Sequence, residues 1–405
     1  MISPGHSEMN KRLSLLVICL LILPLCAYAE DNSLDNDTLG IEDRAFEIGF
    51  LNINFSFSND FLSLQDVFQE TIVLDIDNFS RGFRVNLGVG ITPIYFNVSM
   101  GEWGFGLSTS VEAIGLLNLS GKLLTFSSAI DDKSGVNGAL FASAGVNSFF
   151  NIDKFKVTVK PALYYTIAYL KPNISYTFDP DSGNILKLDY DMLLYTAFPV
   201  DSKGSPTGSG LSATPGIDFS FGVEYALSKE FDVGLNLINI PVAPSVMNDY
   251  LQFKGLVGSK EPLDLLNGGI NSLLSSFDNF DTDPVSGTGS LEVERPFRLS
   301  AWVNWRVFGT PFITITPTIG FSINQLYTDK FSMEFGVNAC LNLANMFIAS
   351  AGIRYEDRLW INGVNFALNF KMFEFNVGAD TRSQDFIKSW TGGGIGLNMG
   401  FKFGF

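Results

Sequence analysis

The chain has 405 residues, among them 38 Phe and 39 Gly, with 26 basic against 42 acidic side chains and a net charge of −16. Only 17% of its residues are charged, against about 25% in soluble domains, which argues against an ordinary water-facing surface. Few cations argue against a nucleic-acid binder, which needs clustered Lys and Arg, and 14% aromatic residues exclude a disordered chain.

The N-terminus reads as a signal peptide over 1–29. Lys11 and Arg12 precede an apolar run over 13–25, and Ala27-Tyr28-Ala29 forms an Ala-x-Ala cleavage site. Leu25 is too large for the small residues that precede a lipidated cysteine, so Cys26 reads as part of the signal. Residues 30–44 then form a short periplasmic segment. Removal of 1–29 leaves Cys340 as the only cysteine and no histidine. The mature chain has no Ser-His-Asp or Cys-His arrangement and no His-based metal site. The reading is therefore no enzyme, with no catalytic residues, metal or cofactor.

After residue 29 no apolar run is long enough for a membrane helix, which needs about 20 residues. Strict period-two alternation appears instead. In 394–405, Ile395, Leu397, Met399, Phe401, Phe403 and Phe405 alternate with Gly394, Gly396, Asn398, Gly400, Lys402 and Gly404. The same pattern recurs at 83–91, 217–225, 313–323, 331–341 and 373–378. The polar face holds Gly, Ser, Asn and Thr with scattered charge, and the segments run to ten or more residues, as tilted membrane strands do. An oily face toward lipid and a polar face toward a lumen define a transmembrane antiparallel β-barrel over 45–405.

In chain order the predicted strands are 45–58, 82–99, 103–125, 136–150, 154–169, 173–180, 185–198, 215–227, 231–240, 294–307, 312–324, 330–343, 346–356, 359–370, 373–382 and 393–405. These number sixteen. Fourteen is the alternative, because 103–125 and 170–185 are ambiguous. Pro93 and Pro161 fall inside strand patterns, where a proline marks a bulge or a strand end. Tight turns at 228–230, 308–311, 344–345 and 371–372 alternate with longer connections. This places both termini in the periplasm and the loops 59–81, 199–214 and 241–293 outside. Residues 61–77 and 263–274 have helix-like patterns and are candidates for a lumenal insert or gate.

The chain end carries a recognisable motif. Asn398, Gly400, Phe403 and Phe405 fit polar-x-Gly-x-x-aromatic-x-aromatic, which resembles the signal read by the barrel-assembly machinery of bacterial outer membranes. Size, helix-like segments and strand irregularities together resemble the FadL-like transporters of fatty acids and other hydrophobic compounds. The Phe- and Asn-rich style is also similar to spirochaete and Bacteroidetes barrels. The FadL resemblance implies a fourteen-stranded outer-membrane barrel that passes small, hydrophobic molecules. Alternation selects Arg84, Glu112, Lys156, Lys160, Asp189, Asp218, Glu224, Arg298, Arg306, Glu334 and Arg354 as charged lumen-lining candidates. Trp302 is the one large aromatic on a polar face. The implied partners are outer-membrane lipid, the assembly machinery and a small-molecule solute, with no nucleic acid. The competing reading is a surface adhesin acting through its loops.

Overall fold

Alternation becomes strand almost everywhere. In the computed structural model the described residues are 44–59, 83–119, 135–179, 185–201, 205–208, 210–259, 284–327, 330–391 and 393–405. They form β1 (Phe46–Asn59), β2 (Phe83–Ser99), β3 (Trp103–Leu119), β4 (Gly135–Ile152), β5 (Phe155–Asp179), β6 (Ile185–Thr196), β7 (Gly216–Ala226), β8 (Phe231–Ala243) and β9 (Ser245–Ser259). The second half forms β10 (Val285–Val293), β11 (Phe297–Arg306), β12 (Ile313–Ile323), β13 (Phe331–Leu343), β14 (Phe347–Glu356), β15 (Leu359–Asn369), β16 (Phe373–Ser383), α1 (Phe386–Thr391) and β17 (Gly394–Gly404). Every pairing is antiparallel, and β17 pairs with β1 to close the sheet.

These segments occupy fourteen positions in the wall. The 25 residues of β5 pair first with β7 and then, further along, with β6. Beyond them, β7 pairs with β8 and β8 with β11, while β6 pairs with β9 and β9 with β10. Thus β6 and β7, β8 and β9, and β10 and β11 are each one wall strand broken in the middle. The breaks fall at 197–215, at Pro244 and at 294–296, and Pro215, Pro244 and Pro296 stand at their ends. Proline has no N–H to give to a ladder, so it suits the ends of these segments, where pairing stops. The first break is pinned at its base. Ser212 N donates to Ala197 O at 2.8 Å, and Thr214 bridges to Val246.

Of the two strand counts, fourteen is the one observed. The predicted strands 154–169 and 173–180 are one continuous strand, β5, and 185–198 and 215–227 share one wall position. Part of 241–293, read as a loop, is strand, since β9 and β10 lie within it; only 260–283 falls outside the described residues. The loop 59–81, apart from Asn59, and the helix-like segments at 61–77 and 263–274 also lie outside them. The parity switch at Pro93 is a register shift between β2 and β3 at Ile91/Tyr95. In β5 the shift falls near Ile167, not at Pro161.

One end of the barrel carries Arg44 and Phe405, the first and last described residues, and short turns at 100–102, 153–154, 227–230, 307–312, 344–346 and 370–372. We call it the turn end, and the opposite end the loop end. Tight reversal there uses left-handed backbone at Asp153, Ala344, Asn345 and Lys371. On the outer surface the apolar residues are exposed. Along β13, Phe331, Met333, Phe335 and Val337 face out while Ser332 and Glu334 are buried, and along β17 Leu397, Met399 and Phe401 face out while Lys402 is buried. That inversion suits a wall bathed in hydrocarbon. Near the loop end, Phe335, Tyr355, Trp360 and Phe386 form a chain of rings with centroids 4.8–5.4 Å apart. It ends on α1, whose first turn is capped by Asp385 Oδ1, which accepts from Ile387 N and Lys388 N at 2.8 and 3.0 Å.

The candidate functional site: a two-zone lumen

The inner face of the barrel divides along its axis. Toward the loop end, Ile114, Phe141, Tyr164, Tyr195, Met247, Val293 and Leu326 pack as a buried apolar cluster, with Tyr169, Leu193, Tyr250 and Leu291 against it. Strand pairing builds part of this cluster as a row. Tyr169 lies opposite Tyr195, and Tyr195 opposite Tyr250, with the last two rings 5.4 Å apart. Leu326 comes from the turn at 324–327, which brings it into the cluster. Its neighbour Tyr327 stacks under the Arg358 guanidinium at 5.9 Å. Burial, helped by the nearby Asp357 carboxylate, holds the Tyr327 phenol well above its ordinary pKa.

Tyr164 bolts the broken part of the wall. It rises from β5 below the gap between β6 and β7, and its hydroxyl donates to Val293 O at 3.0 Å, with Ala243 O at 3.4 Å. The same oxygen accepts from Ser245 N at 3.3 Å. Those partners lie at the breaks in the next two wall strands. The ring fits because Gly216 stands beneath it: a Cβ there would lie 2.3 Å from the ring.

Two buried arginines sit at about this level, on the strand that carries the third break. Arg295 Nε lies 3.2 Å from Asp218 Oδ2, and Arg295 Nη1 lies 4.0 Å from Glu112 Oε1. Arg295 Nη2 also donates to Asn239 Oδ1, and the guanidinium lies over the Tyr164 ring at 5.8 Å. Arg298 engages three carboxylates: Glu334 at 3.0 Å, Glu356 at 3.2 Å and Asp357 at 3.5 Å. Arg354 binds the other Glu356 oxygen at 2.8 Å. Charges withdrawn from water need such partners, because an unpaired one is strongly disfavoured.

Below this ionic level opens a cavity of about 850 Å³. It reaches from Arg298, Glu334 and Glu356 down to Gly309, Pro311 and Asn345 at the turn end. Its wall is dominated by amides and hydroxyls. Trp302 stands on one side, only 8% exposed. Its indole covers Gly234, the residue opposite it in register, where a Cβ would come within 2.3 Å of the ring. The same row continues through Glu224 to Lys156.

The structure brings most of the lumen-lining candidates together. Lys156, Glu224, Arg298, Trp302, Arg306, Glu334 and Arg354 line the cavity. Glu112, Asp218 and Lys160 gather around Arg295. Arg306 pairs with Asp232. Arg84 approaches Tyr327, outside the cavity. The Asp189 side chain lies outside the described residues. Sequence reasoning missed Arg295, Tyr164, Glu356 and Asp357. A charge squeezed between Glu294 and Pro296 was the available sign for Arg295, because a charged residue beside a strand-breaking proline has left the lipid-facing ladder.

A closed antiparallel barrel with an outward apolar band belongs to the class of outer-membrane β-barrels. No protein-family model matches the chain, and no curated protein matches it in sequence. Among solved structures it is similar to the Pseudomonas putida toluene transporter TodX, at 10% identity and a TM-score of 0.51 over 91% of each chain. A Pseudomonas aeruginosa FadL homologue is similar at 11% identity and a TM-score of 0.50, over 91% of this chain and 92% of that one. The CymD monoaromatic hydrocarbon channel is similar at 9% identity and a TM-score of 0.50, over 94% of each. The shared property is the FadL-type fourteen-strand fold.

Proposed function

We propose that the protein is an outer-membrane channel for small molecules of hydrophobic character, with the turn end in the periplasm. The observation that carries this reading is the stacking of an apolar, aromatic interior on an open cavity inside one closed wall. A solute entering from the loop end leaves water for aromatic side chains and then reaches a vestibule lined by hydrogen-bonding groups. The FadL-type fold shared with TodX, a toluene transporter, and CymD, a monoaromatic hydrocarbon channel, supports it. Among the described residues, the lumen assembles no nucleophile with an activating base, which fits transport better than catalysis. The C-terminal motif extends the proposal to assembly. Phe405 N donates to Phe46 O at 3.0 Å and the two rings lie 5.6 Å apart, so the residues offered to the insertion machinery also form the closing seam.

The test is reconstitution. Refolded protein should show heat-modifiable migration and a β-rich circular dichroism spectrum, and should raise solute flux or conductance in lipid bilayers. A folded barrel silent toward every solute would overturn the channel reading and favour an adhesin working through its loops. Deleting Phe405 should reduce insertion in cells while leaving refolding in detergent nearly intact.

A further inference from the structure

The substrate class can be narrowed from the way charge is distributed in the cavity wall, on the basis of the channel reading above. We infer that the lumen selects uncharged molecules that combine an apolar ring or chain with a hydrogen-bonding group, and disfavours both carboxylate anions and bare hydrocarbons. Three observations converge on this class.

First, the cations that the cavity wall draws from its strands are committed. Arg298 is held by Glu334, Glu356 and Asp357, Arg354 by Glu356, and Arg306 by Asp232, and Lys156 is likewise engaged. An entering carboxylate would have to displace one of these partners while facing Glu224, Glu334 and Glu356. Breaking a buried pair such as Arg298 with its carboxylates is disfavoured by more than an exposed anion contact returns.

Second, apart from Lys229 at the turn end, the remaining polar side chains on the wall are mostly neutral. Asn338, Thr316 and Thr318 line it, as do Asn147, Asn365 and Trp302. These amides and hydroxyls offer hydrogen bonds that a hydroxyl or amide on the solute returns and a methyl group does not.

Third, the apolar cluster above the cavity, with its Tyr169–Tyr195–Tyr250 row, requires the rest of the molecule to be oily or aromatic. At about 850 Å³ the cavity lies within the roughly 300–1,000 Å³ of small-molecule sites.

Benzyl alcohol, toluene and benzoate test this directly, since they share a ring and differ in the group it bears. Binding to the full-length refolded protein is read by tryptophan fluorescence, with Trp302→Phe marking the signal that comes from the cavity. Benzyl alcohol should bind at least tenfold more tightly than toluene or benzoate, and Asn365→Leu should abolish most of that preference. Replacing Glu356→Gln together with Asp357→Asn removes two of the three carboxylates around Arg298, leaving Glu334, and frees Arg354, and should raise benzoate affinity at least tenfold. Toluene or benzoate binding as tightly as benzyl alcohol to the unmodified protein would overturn the inference. If the double substitution prevents folding, judged by heat-modifiability, the Asn365→Leu preference decides alone. Bilayer conductance separates the two readings: conduction without the preference sinks the selectivity, and the preference without conduction sinks the channel.

Discussion

The wall from β12 through β17 to β4 and the wall from β5 to β11 obey the same alternation but solve different problems. In the first, each strand runs unbroken and its inner face carries mostly Gly, Ser, Asn and Thr. In the second, three neighbouring wall strands break, and the interior beside the breaks is filled with Tyr164, Met247 and Val293 and crossed by the Arg295–Asp218 pair. The comparison teaches that a barrel wall gives up ladder hydrogen bonds only where side chains replace them. Tyr164 Oη and Ser245 Oγ do at the breaks what neighbouring backbone does elsewhere: Ser245 Oγ accepts from Thr166 N at 3.1 Å and donates to Thr214 O at 3.0 Å.

That difference is best broken at Arg295. Arg295→Leu leaves Asp218, 2% exposed, and Glu112 without their cation, and should destabilise the barrel by about 3–5 kcal/mol in urea titrations of protein in lipid vesicles. Adding Asp218→Leu should recover a substantial part of the loss; no recovery would show that Arg295 acts through Asn239 and Tyr164 instead. Tyr164→Phe keeps the ring and removes only the hydroxyl at the breaks, for an expected cost of about 1–3 kcal/mol. Hydrogen exchange should rise selectively at residues 243–247 and 293. An equal rise along β12–β17 would erase the distinction between the two regions.

In the unbroken region the effects should be smaller and local. Asp385→Ala removes the cap of α1 and should cost about 1 kcal/mol, read as loss of protection at Ile387 and Lys388 with the strands unchanged. Tyr355→Leu removes one ring from the outer group, leaving Phe335 and Trp360 5.4 Å apart, and should cost about 0.5–1 kcal/mol beyond the area it exposes.

The unbroken region was also the one legible in the sequence. Its parity never slips over 331–341 or 394–405, and a period of two leaves no other way to place one oily face. The broken region was not legible for the same reason. Asn248, Asp249, Gln252 and Lys254 interrupt the pattern in β9, so a strand that lines the mouth of the lumen reads as loop. Counting strands from alternation splits the continuous β5 in two and counts β6 and β7 separately, which is how sixteen came from fourteen. Parity selected Glu112, Asp218, Arg298 and Glu334 for the interior, but not their partners. Arg298 meets Glu356 and Arg295 meets Asp218 across strands far apart in the chain, a matter of barrel register rather than local spacing.

The seam between β17 and β1 bears on how this molecule comes into being. Phe46 and Phe405 exchange two backbone hydrogen bonds, Phe46 N to Phe405 O at 3.1 Å and Phe405 N to Phe46 O at 3.0 Å. One margin of β1 therefore stays unpaired until β17 is present. Throughout synthesis and export, both margins of the growing sheet stand unpaired beside an oily face, the condition that most favours aggregation. Loop closure over nearly the whole chain also makes spontaneous folding slow. The geometry of closure thus leaves both margins of the sheet in need of cover until β1 and β17 meet.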